Sequence, residues 1–224
     1  MPDSSVPLGR VTRSREQARA AYDRMSRWYD AFAGRWEQKL RTEALAQLRI
    51  ADGDRVLEVG CGTGQDSPAI AALAGATGSA HGIDLSPGML AVASARLRRA
   101  GLCVKVHLVC GDAVSMPYIA HSFDAIFMSF TLELFDAPDI PLVLAECRRT
   151  LAARGRLCVI SLSNSEGLNV MGRLYEWGHR QFPTVLDCRP IPVQAIVAGA
   201  GFRVTGVTRS SLWGLQVETV VAHS

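Results

Sequence analysis

Three acidic residues, Glu58, Asp84 and Asp112, each stand in or directly after a short apolar run, and the first leads into a loop with glycine at positions 60, 62 and 64. Alternate glycines let the backbone come close to a ligand, because no Cβ intervenes. A carboxylate at the carboxyl edge of a parallel sheet can accept both hydroxyls of a ribose. One after the next strand can accept the exocyclic amine of adenine. Turn chemistry alone accounts for a single Asp-Ser or Gly-Asp pair. Three acids at three successive strand ends are harder to explain that way, and together they suit a nucleoside-bearing ligand.

Spacing narrows that ligand. A dinucleotide loop needs G-x-G-x-x-G so that a pyrophosphate can sit on the following helix, and the last glycine of that pattern would fall on Gln65. The chain reads G-x-G-x-G instead. It carries no Gly-Lys-Ser of the kind that cradles a triphosphate, and a carboxylate at Asp84 disfavours a 2′-phosphate.

Such residues need a sheet to hold them. The runs RVLEV, SAHGID, VKVHLVC, DAIFMSF and GRLCVISLS alternate with helical or loop stretches, which predicts parallel strands joined by crossover helices. Ser86 as N-cap, Pro87 in the first turn and Gly101 past the end delimit the helix after Asp84. PIPVQAIVAGAG predicts a helix, and FRVTGVTRS and LQVETVVA, joined by SLWG, predict a closing hairpin with one antiparallel strand. Ala18, Ala21, Tyr22, Met25, Tyr29, Phe32, Trp36 and Leu40 recur at helical steps. They predict one or two amphipathic helices in an N-terminal helical cap over 15–50. Residues 1–14 read as a flexible tail, and 15–224 as a single domain. A polar, aromatic-containing insert over 164–189 follows the fifth strand and is expected to overhang the ligand edge as a substrate lid.

Composition bounds the rest. The 224 residues are 48% hydrophobic and 20% charged, enough for a closed core, and a formal charge of +3 is spread along the chain. Arg96, Arg98 and Arg99 read as a solvated helix end, with no nucleic-acid partner. Six cysteines, at 61, 103, 110, 147, 158 and 188, form no C-x-x-C pair, so buried free thiols and no metal are expected. No apolar run approaches a membrane span, and the first residues have no apolar stretch, which predicts a cytoplasmic protein.

With these motifs the chain resembles the class I S-adenosylmethionine-dependent methyltransferases, and within them the ubiquinone/menaquinone C-methyltransferase-like group. YDRMSRWYD is similar to the group's N-terminal helix, VLEVGCGTG to its glycine motif, GIDLSPGML to its ribose-binding strand end and GDAVSMPY to its adenine-side loop. SFDAIFMSF and LAECRRTLAARGRLCVIS resemble its fourth strand, helix and fifth strand. The resemblance implies an α/β, Rossmann-like doubly wound sheet of about seven strands in the order 3-2-1-4-5-7-6, strand 7 antiparallel. It also implies S-adenosyl-L-methionine as cofactor. Glu58, Gly60, Gly62 and Thr63 would then line its methionine portion, with Ser129 facing the same part. Asp84 would hold the ribose, Met89 would pack on the adenine, Asp112 and Ala113 would address its polar edge, and Tyr22 would close over the site beside Tyr29.

One departure bears on the acceptor. Where the quinone enzymes carry Phe-Gly-Leu-Arg-Asn, this chain has Phe130, Thr131, Leu132, Glu133 and Leu134. An acid in place of that arginine moves the expectation away from a quinone and makes an amine-bearing acceptor conceivable; a structural cap is the alternative role for Glu133. The other candidate for proton transfer is His179 in the insert, followed by Asp187 and Arg189, and Tyr175, Trp177 and Phe182 suit a partly apolar acceptor pocket. The expected activity is methyl transfer to carbon, nitrogen or oxygen of a small organic acceptor, which an amphipathic molecule would satisfy. Three alternatives stand beside it: a noncatalytic S-adenosylmethionine-binding protein, a dinucleotide oxidoreductase, and a phospholipid amine N-methyltransferase that rests Trp28 and Trp36 on a bilayer. The last is weakened by Asp23, Asp30 and Glu37 on the helical polar side. Oligomeric state is open.

Overall fold

The computed structural model describes residues 15–25, 35–164, 189–212 and 214–224. Along them run α1 (Arg15–Met25), α2 (Arg35–Leu48), β1 (Arg55–Val59), α3 (Ser67–Leu73), β2 (Ser79–Asp84), α4 (Pro87–Arg99), β3 (Val106–Cys110) and β4 (Phe123–Ser129). A single 3-10 turn (Leu132–Leu134), α5 (Ile140–Thr150), β5 (Leu151–Leu162), α6 (Val193–Gly199), β6 (Arg203–Leu212) and β7 (Leu215–His223) follow.

The strands form one seven-stranded sheet in the order β3-β2-β1-β4-β5-β7-β6. β7 runs antiparallel to both of its neighbours, and every other pairing is parallel. This is the order and polarity implied by the resemblance. The reversal at β1, where the chain crosses from the β2–β3 side to the β4 side, opens a crevice at the carboxyl ends of β1 and β4.

Side-chain alternation explains why both faces are covered. Leu57 and Val59, Ile126 and Met128, and Leu157 and Val159 enter one core, with Val143, Leu144 and Cys147 of α5 and Val193 and Val197 of α6. Their odd-even partners Val56, Ala125 and Phe127, Cys158 and Ile160 enter the other, with Leu40, Ala44, Leu45 and Leu48 of α2, Ile70 of α3 and Leu97 of α4. A strand buried on both faces has to be apolar throughout, which is why these runs are continuous rather than alternating.

Several boundaries differ from expectation. β3 starts at Val106 rather than Val104, because Val104 is 87% exposed in the preceding turn. β4 ends at Ser129, and Phe130 turns off it with φ of +48°. β5 begins at Leu151, where Leu151 pairs with Phe123 ahead of a register shift. The cap of α4 is as read: Ser86 Oγ accepts from the Met89 N–H at 3.0 Å, and Gly101 follows the helix with φ of +69°. The thiols divide. Cys61, Cys147 and Cys158 are buried, but Cys103 and Cys110 are exposed, the latter because β3 is an edge strand. Arg96 is not simply solvated, since its Nε donates to the Thr63 carbonyl at 3.1 Å. Among the described residues no helix is long and apolar enough to cross a membrane. The expected tail, Trp28, Tyr29, Phe32, Tyr175, Trp177, His179, Phe182 and Asp187 lie outside the described residues.

Candidate active site

The glycine loop follows β1 because the chain must turn sharply there: Gly60 and Gly62 adopt φ of +70° and +51°, a region that side-chain-bearing residues rarely enter. The loop is fastened to the end of β2. The N–H groups of Gly60 and Cys61 donate to the Ile83 carbonyl at 2.8 and 3.2 Å, and the Gly62 N–H donates to Asp84 Oδ2 at 2.8 Å. Asp84 Oδ1 in turn accepts from the Ser86 N–H at 2.9 Å. Burial raises the Asp84 carboxyl above its ordinary value, and the backbone N–H groups of Ser86, Gly62 and Leu85 oppose that rise.

Glu58, in β1, is 4% exposed and accepts from Ser67 Oγ at 2.6 Å. Burial, reinforced by the negative charge of Asp66, pushes its carboxyl up to about 8. Across the loop, Arg41 of α2 lies 3.0 Å from Glu37 and 3.1 Å from Asp66, and donates to Gln65 Oε1 at 2.6 Å. This ties the second N-terminal helix to the far side of the glycine loop. On the next strand end, Asp112 Oδ1 accepts from the Val114 N–H at 3.1 Å, which holds the loop after β3 in an Asx-type turn.

These groups surround an open, solvent-connected cavity at the carboxyl ends of β1, β2 and β4. Tyr22, Glu58, Gly60, Gly62, Thr63, Asp84, Met89, Asp112, Ala113 and Ser129, each expected at one site, all line it. Reasoning from sequence did not single out Arg19, Glu37, Arg41, Asp66, Asp136 or Asp139 for the wall. Asp66 and Gln65, immediately after the glycines, were the available signal for a polar group there.

The fit to S-adenosylmethionine can be tested on the walls themselves. A Cβ on Gly62 would meet nothing within 4 Å, so the backbone there faces open space. Ser129 Oγ is buried without a hydrogen-bond partner among the described residues, a cost that a ligand atom would relieve. Acids outnumber the two arginines on the lining, which suits a cationic guest. The residues present therefore fit the group.

The catalytic candidates fall differently. Glu133 is fully buried in the 3-10 turn, one residue behind the lining Leu134, and does not itself line the cavity. Its Oε1 accepts from the Leu162 N–H at 3.3 Å, while Oε2 has no hydrogen-bond partner among the described residues. Burial pushes its carboxyl up to about 7. Arg189 is also buried, with Nη2 donating to the Phe135 carbonyl at 2.6 Å. Burial lowers the Arg189 guanidinium, against the attraction of Asp136 and Glu133. His179 lies outside the described residues.

Comparison with known proteins is consistent with this geometry. Residues 56–155 match the family described as methyltransferase domain. The chain is similar to the demethylmenaquinone methyltransferase of Symbiobacterium thermophilum, 31% identical over 153 residues, which span 66% of this chain and 60% of that protein. It is similar to the enzyme of the same name from Geobacillus kaustophilus, at 32% over 154 residues, 69% of this chain and 63% of the relative. The chain thus spans less than two thirds of the length of either relative. Among solved structures, an S-adenosylmethionine-dependent methyltransferase from Aquifex aeolicus superposes with a TM-score of 0.63 at 24% identity, over 82% of this chain and 88% of that one. The cyclase SpnF superposes with a TM-score of 0.78 at 19% identity, over 96% and 98%.

Proposed function

We propose that the chain is a class I S-adenosylmethionine-dependent methyltransferase that transfers the cofactor's methyl group to a small organic acceptor. One observation carries the reading: a single cavity is lined by the glycine loop and by the three strand-end acids Glu58, Asp84 and Asp112.

When bound, S-adenosylmethionine supplies a methyl group already activated on a sulfonium. The work left to the chain is binding, alignment and exclusion of water. Asp84 holds the ribose hydroxyls, and Met89 packs against the adenine, whose polar edge meets Asp112 and Ala113. Glu58, Gly60, Gly62, Thr63 and Ser129 surround the methionine portion, and Tyr22 covers the site. The acceptor enters beside Leu134, Phe135, Asp136 and Asp139, which line the same cavity.

For the acceptor, the names of the two relatives make a demethylated quinol the first compound to test. Glu133 stands one residue behind Leu134, fully buried and off the cavity lining, so it takes a proton from an acceptor that presents an O–H or N–H only if the turn at Leu132–Leu134 shifts toward the cavity. His179 is the second candidate for that role.

The test is mass spectrometry of reactions that contain S-adenosylmethionine and, separately, a demethylated quinol, a phenol series and an amine series. A mass gain of one methyl in the acceptor, matched by S-adenosylhomocysteine, is the expected result. Tight cofactor binding with no methyl loss across all three series would mean that the domain binds without transferring, a live outcome because this fold also serves the cyclase SpnF.

A further inference from the structure

Asp23, near the end of α1, reaches across to the first turn of α4. Its Oδ1 accepts from Ser86 Oγ at 2.5 Å and from the Gly88 N–H at 2.8 Å. Ser86 is thereby held by two carboxylates at once, because its own N–H donates to Asp84. Its Oγ also accepts from the Met89 N–H, and Met89 lines the cavity. The contact is close as well as polar: a Cβ on Gly88 would lie 2.9 Å from Asp23 Oδ1 and 3.0 Å from its Cα. Glycine is required there for the two helices to approach. α1 carries Arg19 and Tyr22 on the cavity wall, one turn and one residue before Asp23.

We infer that Asp23 is a positioning residue: its carboxylate latches α1 onto the amino end of α4 and so holds Arg19 and Tyr22 over the bound cofactor. Several facts converge on this. The N–H groups in the first turn of α4 have no partner of their own within the helix and carry partial positive charge, so a carboxylate from another element is a natural partner. The serine that receives the latch is also bonded to the acid that takes the ribose, so the lid and the ribose corner share one residue. Losing the latch therefore loosens a wall of the cavity and the turn beneath it together, without removing any group that touches the cofactor. The inference rests on the cofactor reading above.

The test pairs two substitutions of opposite intrinsic effect. Asp23→Ala removes the carboxylate, and S-adenosylhomocysteine measured by calorimetry is expected to bind about ten-fold more weakly, as for a lost charge-assisted contact. Asp23→Asn keeps an accepting oxygen and should fall between the two. Gly88→Ala changes no charge and, taken alone, does not disfavour the helix itself. Its Cβ nevertheless pushes Asp23 away, and the same loss of affinity is expected. Trypsin reports the latch directly, because Arg19 and Arg24 are exposed on α1. Cleavage after them should be faster in Asp23→Ala and Gly88→Ala than in the unaltered chain, with or without ligand. Unaltered affinity and cleavage in both variants would overturn the latch. Failure of the unaltered chain to bind S-adenosylhomocysteine would overturn the cofactor reading instead, and the ligand-free trypsin comparison would still decide the latch.

Discussion

Asp84 and Gly62 form a corner: the Gly62 N–H donates to Asp84 Oδ2 at 2.8 Å, so the end of β2 and the loop after β1 hold each other in place. With Ser86 N–H on the other oxygen, the carboxylate plane is set by two backbone donors. Each oxygen keeps a further lone pair for a ligand hydroxyl. On the proposed reading Asp84 has two duties, the bond to the loop and a second one toward the ligand.

From this, Asp84→Ala should weaken S-adenosylhomocysteine binding about ten-fold or more, since the charge-assisted bonds and the loop anchor go together. Asp84→Asn keeps one acceptor and should lose less. Isothermal titration of the three proteins decides it, and equal affinities would sink the ribose assignment.

Gly60 sits against the residue that follows β4 and the sharp turn at Phe130. A Cβ at Gly60 would overlap the side chain of Thr131, and φ of +70° adds a cost of about 1–2 kcal/mol for any L side chain. Gly60→Ala should therefore abolish cofactor binding by displacing the loop. In the double variant Gly60→Ala/Thr131→Ala the overlap is relieved but the backbone strain stays, so calorimetry should find part of the affinity restored. No restoration would mean that strain alone governs the loop.

Glu58 gives a prediction in protons. Burial and Asp66 hold its carboxyl up to about 8, so at pH 7 the free site is largely protonated. A cation placed beside it favours the charged form, and binding S-adenosylmethionine should release a proton. Calorimetry in buffers of differing ionisation heat measures the release directly. S-adenosylhomocysteine, which lacks the sulfonium charge, should release less, and so should the Glu58→Gln variant with either ligand. Equal heats in all buffers would count against Glu58 facing the cofactor.

The parts of this site that were legible from sequence share a property: each is encoded over a few consecutive residues. The glycine loop, the acids at Asp84 and Asp112 and the Ser86 cap announce themselves by local spacing and by the apolar runs beside them. Asp23, Glu37 and Arg41 did not, although Glu37 and Arg41 line the cavity and Asp23 bonds to Ser86 on its wall. On the helical pattern Asp23 and Glu37 belong to a polar face, and only the packing of α1 and α2 onto residues more than twenty positions away turns that face inward. Arg96 escaped for the same reason, since its carbonyl partner at Thr63 lies on another element. The strand order itself cannot be derived from alternation, and came from resemblance.

Glu133 separates catalysis from packing. Its folded carboxyl is raised to about 7 from an ordinary 4.5, so its contribution to stability is full below about pH 4.5 and is lost as pH rises toward 7. Glu133→Gln keeps an oxygen for the Leu162 N–H but cannot ionise. The variant should therefore gain thermal midpoint relative to the unaltered chain between pH 5 and pH 8, with the gap widening as pH rises. If Glu133 also takes a proton from the acceptor, kcat should fall by about 10²–10⁴-fold while cofactor affinity stays unchanged. A fall in kcat with normal cofactor binding assigns the acid to the acceptor. A stability gain with full activity assigns it to the packing of the turn against β5 and moves the search for a base to His179.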